Sequence, residues 1–429
     1  MNVKQLTSSA MDRRVLFFGS SRVMRLPLLG IIALAVIGTR AALGEDWYRY
    51  RGPALNGVSS ETKWTEKWGD RGPRILWKQS VGIGFSGVVI SNNRAYTIGN
   101  SDNVDTVHCL DATTGNSIWR YDYPCPTDPN EFEGGPTATP TVDGEVVFTL
   151  SRLGDLHCFN KVSGALVWRR DVARLAKVRA PGWGFAGSPL VVGDLLLLNI
   201  GDAGVTLKKQ SGDLVWSSAD KSAGYSSMVP IKLGEKDAVV FGSGRSYVCV
   251  DVKSGAELWR QRWLTTFGCN AADPILMGDY VFISSGYNRG CALLKPSENA
   301  VEVVWENKEM QNQISSCVLI DGYLYGIHGR TEMGAELRCM KALTGEVMWI
   351  EASLHAGAIS AAGDRLIILT DDGELVVAKA SPKGFSVSAR HPVLKGRSWT
   401  APVLSAGRIY CRSADGEIVC LDVTTASPN

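Results

Sequence analysis

The feature that most constrains this chain is a phrase of thirteen residues, VHCLDATTGNSIW from Val107 to Trp119, that keeps returning toward the C-terminus. It comes back as LHCFNKVSGALVW (156–168), VTLKKQSGDLVW (205–216), YVCVDVKSGAELW (247–259) and LRCMKALTGEVMW (337–349). Degenerate copies end at Trp305 and Val387, and a last one, IVCLDVTT from Ile418, stops before its Trp position. The strand missing there is available at the other end of the chain, in ILWKQSV from Ile75 to Val81. The eight outer positions are Trp77, Trp119, Trp168, Trp216, Trp259, Trp305, Trp349 and Val387, spaced by about 45 residues, the period of a four-stranded propeller blade. Such a sheet buries its faces only against neighbouring sheets, so blades close into a ring around a channel. The expected fold is all-β: an eight-bladed propeller of four-stranded antiparallel blades over residues 75–425. An N-terminal strand completes the C-terminal blade.

Inside each copy the pattern is a small residue, then Asp, then Thr or Ser before Gly, then Trp. Thr114-Gly115, Ser163-Gly164, Ser254-Gly255 and Thr344-Gly345 fall at the turn between third and fourth strands, where Gly supplies a positive φ. Asp111, Asp251 and Asp422, with Asn160 in the equivalent place, are placed to accept hydrogen bonds from that turn, and each Trp is expected to dock the next blade. This resembles the tryptophan-docking motif of the pyrroloquinoline-quinone-type eight-bladed propellers, shared by quinoprotein alcohol dehydrogenases and BamB-like outer-membrane assembly proteins. The resemblance spans residues 47–425; it is specific for fold and says little about function.

Gly-containing hairpin turns precede apolar strands in VDGEVVFTL, VGDLLLLNI, MGDYVFISS, IDGYLYGIH, AGDRLIILT and SAGRIYCRS. The segments before them, such as GPTATPTV, GFAGSPLVV and CNAADPIL, are rich in small residues, as suits strands crowded at a propeller axis. No helix of any length is indicated.

Residues 1–44 read as an export signal: Arg22 and Arg25, an apolar run from Leu26 to Gly38, and a small-residue end at Ala42-Leu43-Gly44. The run is short for a membrane span, and no Cys follows it, so a lipoprotein anchor is not expected. Removing residues 1–44 takes the formal charge from +2 to about −3 (39 basic, 42 acidic residues), a balance that calls for neither nucleic acid nor an anionic membrane surface. Residues 45–74 carry Trp47, Tyr48, Tyr50, Trp64 and Trp68 beside Arg49 and Arg51, and are expected to lie packed across the propeller; residues 426–429 are a tail. The WYRYRGP stretch resembles the lead-in of exported members of the same family. A monomer is expected, without a transmembrane span once the signal is cleaved.

Ten cysteines in an exported chain ordinarily suggest disulfides. Five of them (Cys109, Cys158, Cys249, Cys339, Cys420) repeat at one position of the motif, one per blade and too far apart to bridge, so they read as buried small hydrophobes. A turn centred on Asp415-Gly416 places Cys411 opposite Cys420, either as a cross-strand disulfide or as two reduced thiols. No CxxC occurs, and five histidines show no metal-ligand spacing. GIGFSG (82–87) mimics a dinucleotide loop, yet leads into the strand VVIS rather than a helix. SETK, SDN and KSG mimic a penicillin-binding set by chance, since KSG is one copy of the blade turn.

The candidate functional surface is the set of loops running from each outer strand to the next innermost strand, which converge on one mouth of the channel. They carry Phe85, Glu133, Arg179, Trp183, Phe185, Tyr225, Phe267, Asn270, Gln311, Gln313, His355 and Trp399. The family resemblance implies two functions. A noncatalytic exported scaffold would present this mouth to an envelope protein partner and needs no cofactor or metal. The alternative, a quinoprotein dehydrogenase oxidising an alcohol or sugar, would hold pyrroloquinoline quinone and calcium there. This chain lacks the adjacent Cys-Cys pair of the alcohol-oxidising members and places no metal set on motif-matched positions. The scaffold is therefore the favoured reading.

Overall fold

The computed structural model describes Gly19 and residues 45–425, apart from residues 70, 129–131 and 219–221. The expected signal cleavage and the C-terminal tail lie outside the described residues. Eight sheets follow one another, each a meander from an inner to an outer strand. Blade 1 runs Val89–Ser91, Arg94–Ser101, Val104–Asp111 and Ser117–Pro124. Blades 2 to 7 begin at Thr141, Leu190, Val229, Ile275, Val318 and Ala356. Blade 8 takes Val403–Ser405, Arg408–Arg412 and Glu417–Asp422 from the C-terminus, and Arg74–Ser80 pairs antiparallel with Glu417–Asp422 as its outer strand. The N-terminal strand thus closes the ring.

A register shift interrupts the outer pairing of every blade just before the docking position, a bulge that re-aims the next side chain. The Trp that follows stands opposite the motif cysteine in five blades: Trp77–Cys420, Trp119–Cys109, Trp168–Cys158, Trp259–Cys249 and Trp349–Cys339. Its indole crosses to the next blade. Trp77, Trp119, Trp168, Trp216, Trp305 and Trp349 donate from Nε1 to the main-chain carbonyls of Ala112, Lys161, Lys209, Val252, Leu343 and Ser381, at 2.7–3.1 Å. The turn glycine lies beneath the ring: a Cβ on Gly255 would come within 2.5 Å of Trp216, and φ there is +70°. Asp111 accepts from the amides of Thr113 and Thr114, and Asp251 from those of Lys253 and Ser254. Asp422 accepts from Thr424 and pairs with Arg74 at 2.6 Å.

Three details differ from the sequence reading. In blade 7 the docking position is Ala389, opposite Val377; Val387 lies before the bulge, because the long turn at residues 380–386 shifts the count. No indole projects there, and Trp68 with Trp64 from the N-terminal extension packs against Ala389 between blades 7 and 8. Cys411 stands opposite Val419, not Cys420, because three residues rather than two turn the hairpin between Ser413 and Glu417. The two thiols therefore point to opposite faces and into different core clusters, and both are free. Finally, a five-residue α-helix, Val172–Ala176, the one α-helix among the described residues, follows blade 2, capped by Asp171 onto the amide of Arg174.

The extension crosses the end of the ring where inner hairpins turn. Asp46 accepts from Ser91 Oγ and the Asn92 amide, Val58–Ser59 adds a parallel strand to Ala361 and Ala362, and Glu61 takes the amides of Ala406 and Gly407. Arg51 reaches blade 6, donating to the carbonyl of Cys317 at 2.7 Å. One end of the channel is thereby covered by the chain's own N-terminal segment.

Candidate functional site

At the opposite end the outer-to-inner loops surround a cavity of about 210 Å³. Seven aromatic residues line it: Tyr50, Phe85, Phe132, Trp183, Tyr225, Tyr287 and Trp399. Tyr50 also borders the smaller cavity beneath, with Trp47, Arg51 and Gly57, so the extension supplies the floor of a cup. The walls are small and polar or apolar residues from the inner strands, among them Gly87, Thr137, Ser188, Ser227, Ala271, Ser315 and Ala401. Small side chains at the axis are what leave the space open.

The rings form two groups. Phe85 stacks on Trp399 with centroids 5.5 Å apart, and Phe132 meets Trp399 edge-on at 5.0 Å. Arg397 lies over both Trp399 and Phe132 and pairs with Glu133, while Trp399 Nε1 donates to Asp371. In the second group Trp183 meets Tyr225 at 5.6 Å and Phe267 at 5.7 Å, and Phe267 meets Tyr287 at 5.9 Å. Phe267 is 71 % exposed with φ +61°, an aromatic held out on the rim by a left-handed backbone. Gln313 donates to Tyr287 Oη and Glu332 at 3.3 Å and accepts from the Thr331 amide.

Among the described residues one carboxylate lines the cup. Asp273 is buried; its Oδ1 accepts the Ser227 amide at 2.7 Å, and its Oδ2 comes no nearer than 3.8 Å to Arg51 Nε. Burial pushes its pKa up to about 6, against the opposing pull of Arg51. Burial also raises the Cys269 thiol to about 12, which leaves it protonated and unreactive.

Of the sequence candidates, Phe85, Trp183, Tyr225, Gln313 and Trp399 line the cup. Glu133 and Phe267 stand on its rim through their contacts with Arg397 and Trp183. The others do not converge. Phe185 is fully buried in the core of blades 2 and 3, where it packs with Val172 and Ala176 of the short helix. Asn270 is fully buried and ties Ser243, Trp263 and Ser285 together by hydrogen bonds. Arg179 and His355 are exposed, and Gln311 bonds the Asn288 amide and the Lys308 carbonyl outside the cup. Tyr50, Phe132, Tyr287 and Asp273 were not anticipated. Tyr287 sits on a hairpin between second and third strands, which opens on the same end as the loops considered.

Among the described residues no three His, Cys, Asp or Glu side chains gather as a metal site. Pyrroloquinoline quinone is a tricarboxylate, and among the described residues no basic side chain lines the cup to meet it. The residues present do not fit that cofactor.

Fold and mouth together define the class: an eight-bladed propeller of the quinone type, closed by its N-terminal strand. The family model described as Outer membrane protein assembly factor BamB matches residues 103–351 and 333–428, and the chain belongs to that family. BamB of Yersinia pestis is 22 % identical over 359 residues, covering 80 % of this chain and 77 % of that protein. The structure of BamB from Moraxella catarrhalis superposes with a TM-score of 0.61 at 16 % identity, covering 83 % of this chain and 99 % of that one. A quinohemoprotein alcohol dehydrogenase from Pseudomonas putida superposes with a TM-score of 0.64 at 11 % identity, covering 90 % and 81 %. Likeness at these identities establishes the fold.

Proposed function

We propose that this chain is an exported, noncatalytic propeller that binds a polypeptide partner of the cell envelope at the aromatic mouth of its channel. The observation that carries this reading is the cup itself: seven aromatic residues around the cavity, with, among the described residues, one lining carboxylate and no lining basic group to hold an anionic cofactor. Partly exposed aromatics on converging loops are common anchors of protein interfaces. Membership of a family described by outer-membrane assembly supports an envelope partner, and the apolar segment before residue 44 supports export without a lipid anchor.

Co-purification of the chain from residue 45 with envelope extract tests the reading, run beside the Trp183→Ala/Trp399→Ala variant. The expected result is a discrete partner that the folded variant loses. Substrate-dependent dye reduction after addition of pyrroloquinoline quinone and calcium would replace the scaffold with the dehydrogenase.

A further inference from the structure

The charge arrangement around the cup says more about its occupant than its apolar surface does. Aromatic faces carry negative quadrupole potential, which attracts cations most strongly where water is excluded. At the floor, Arg51 spends its guanidinium on main-chain carbonyls of Leu55, Asn56, Ser316 and Cys317. That leaves Asp273 Oδ2 without a hydrogen-bond donor among the described residues, since 3.8 Å is beyond hydrogen-bond reach. The pattern recurs at the rim. Glu133 and Glu332 each give one oxygen to an arginine, while Glu133 Oε2 and Glu332 Oε2 are buried with no donor among the described residues. Arg51, Arg330 and Arg397 are already engaged, and each of these three carboxylates keeps one oxygen without a donor among the described residues; Ser86 Oγ and Arg412 Nε beside the cup are unpaired as well.

We propose that the cup is an aromatic cage for an organic cation on an apolar stem, seated among Trp183, Tyr225, Tyr287 and Trp399 with its charge toward Asp273 Oδ2. The chemistry is that of a quaternary ammonium or of an arginine or lysine side chain. The proposal rests on the mouth being a binding site and specifies what that site selects. An apolar cup without the carboxylate would accept a leucine side chain as readily as an arginine; this one pays less to desolvate a cation because the floor supplies its counter-charge.

Tryptophan fluorescence titrations of the chain from residue 45 read this directly. Choline is compared with 3,3-dimethylbutanol, its neutral twin in shape. A short peptide with one central arginine is compared with the same peptide carrying citrulline. At least one cation should bind tenfold or more tightly than its neutral twin. Binding confined to choline assigns a free quaternary ammonium, and binding confined to the arginine peptide assigns a polypeptide side chain. Asp273→Asn should remove that preference while leaving the neutral compounds unchanged. If the variant fails to fold, the paired titrations of the unaltered protein decide alone. Neutral twins binding as tightly as both cations, or neither pair binding, would overturn the proposal. Capture of an envelope partner through Trp183 and Trp399 would stand or fall separately.

Discussion

Trp77 donates from its indole nitrogen to the carbonyl of Ala112 at 3.1 Å, so the first strand of the propeller, which is the outer strand of its last blade, is docked onto blade 1. One residue therefore serves both the antiparallel pairing that completes blade 8 and the seam that closes the ring. A chain beginning at residue 83 lacks both. It should expose Glu417–Asp422 as an edge strand and aggregate on expression. A soluble truncation that melts with the chain from residue 45 would contradict the closure.

The extension's tryptophans take over where the outer strand provides Ala389. Trp68 is buried beside Ala389, Leu394 and Leu404, with Nε1 donating to the Thr65 carbonyl at 2.8 Å. Trp68→Ala should destabilise the protein by about 3–5 kcal/mol, the range for a large aromatic removed from a packed site. Denaturant unfolding checks this, and a loss under 1 kcal/mol would mean the blade 7–8 seam is held elsewhere.

Docking tryptophans differ in whether their nitrogen is used. Trp168 Nε1 reaches the Lys209 carbonyl, whereas Trp259 Nε1 is buried with no partner among the described residues. Trp168→Phe should therefore cost about 1 kcal/mol more than Trp259→Phe, the net worth of one hydrogen bond. Equal losses in urea midpoints would show that only ring packing matters.

His157 lies between the rings of Tyr123 and Phe159, stacked on Phe159 at 12°, with neither ring nitrogen bonded to any of the described residues. Burial lowers its pKa from the ordinary 6.5 to about 4. The unfolded chain thus takes up a proton at this site between about pH 6.5 and 4 that the folded chain refuses, and stability falls as pH drops through that window. His108, lowered to about 4 by burial, adds to the same slope. His157→Phe keeps the stacking and removes the orphan nitrogens, so it should raise stability by about 1–3 kcal/mol at pH 5 and less at pH 7. Thermal melts at both values test the sign.

The ring was legible because the docking phrase couples a turn, a bulge and an indole at fixed spacing, and no other sheet architecture needs all of them every 45 residues or so. Its failures are local. The repeat count lands on Val387 because a longer turn displaces it by two from Ala389, and a two-residue turn would pair Cys411 with Cys420 where the actual three-residue turn pairs it with Val419. The mouth was less legible. Phe185 and Trp183 are two residues apart, separated by Gly184 at φ +80°; the bond from the Phe185 amide to the Arg152 carbonyl holds Phe185 in the core beside the short helix, while Trp183 lines the cup. Tyr50 and Asp273 are far apart in sequence and join only because the extension returns across the ring. Nothing in their local patterns announces a floor.

The central claim is that the mouth, rather than the outer edge, meets the partner. Phe267 on the rim and Val304 on the outer strand of blade 5 are both exposed and lie on different surfaces. Replacing each in turn with a photo-crosslinking residue, in cells making the full chain, compares the two directly. The account predicts one discrete protein adduct from position 267 and none from 304. An adduct from 304 with none from 267 would contradict it.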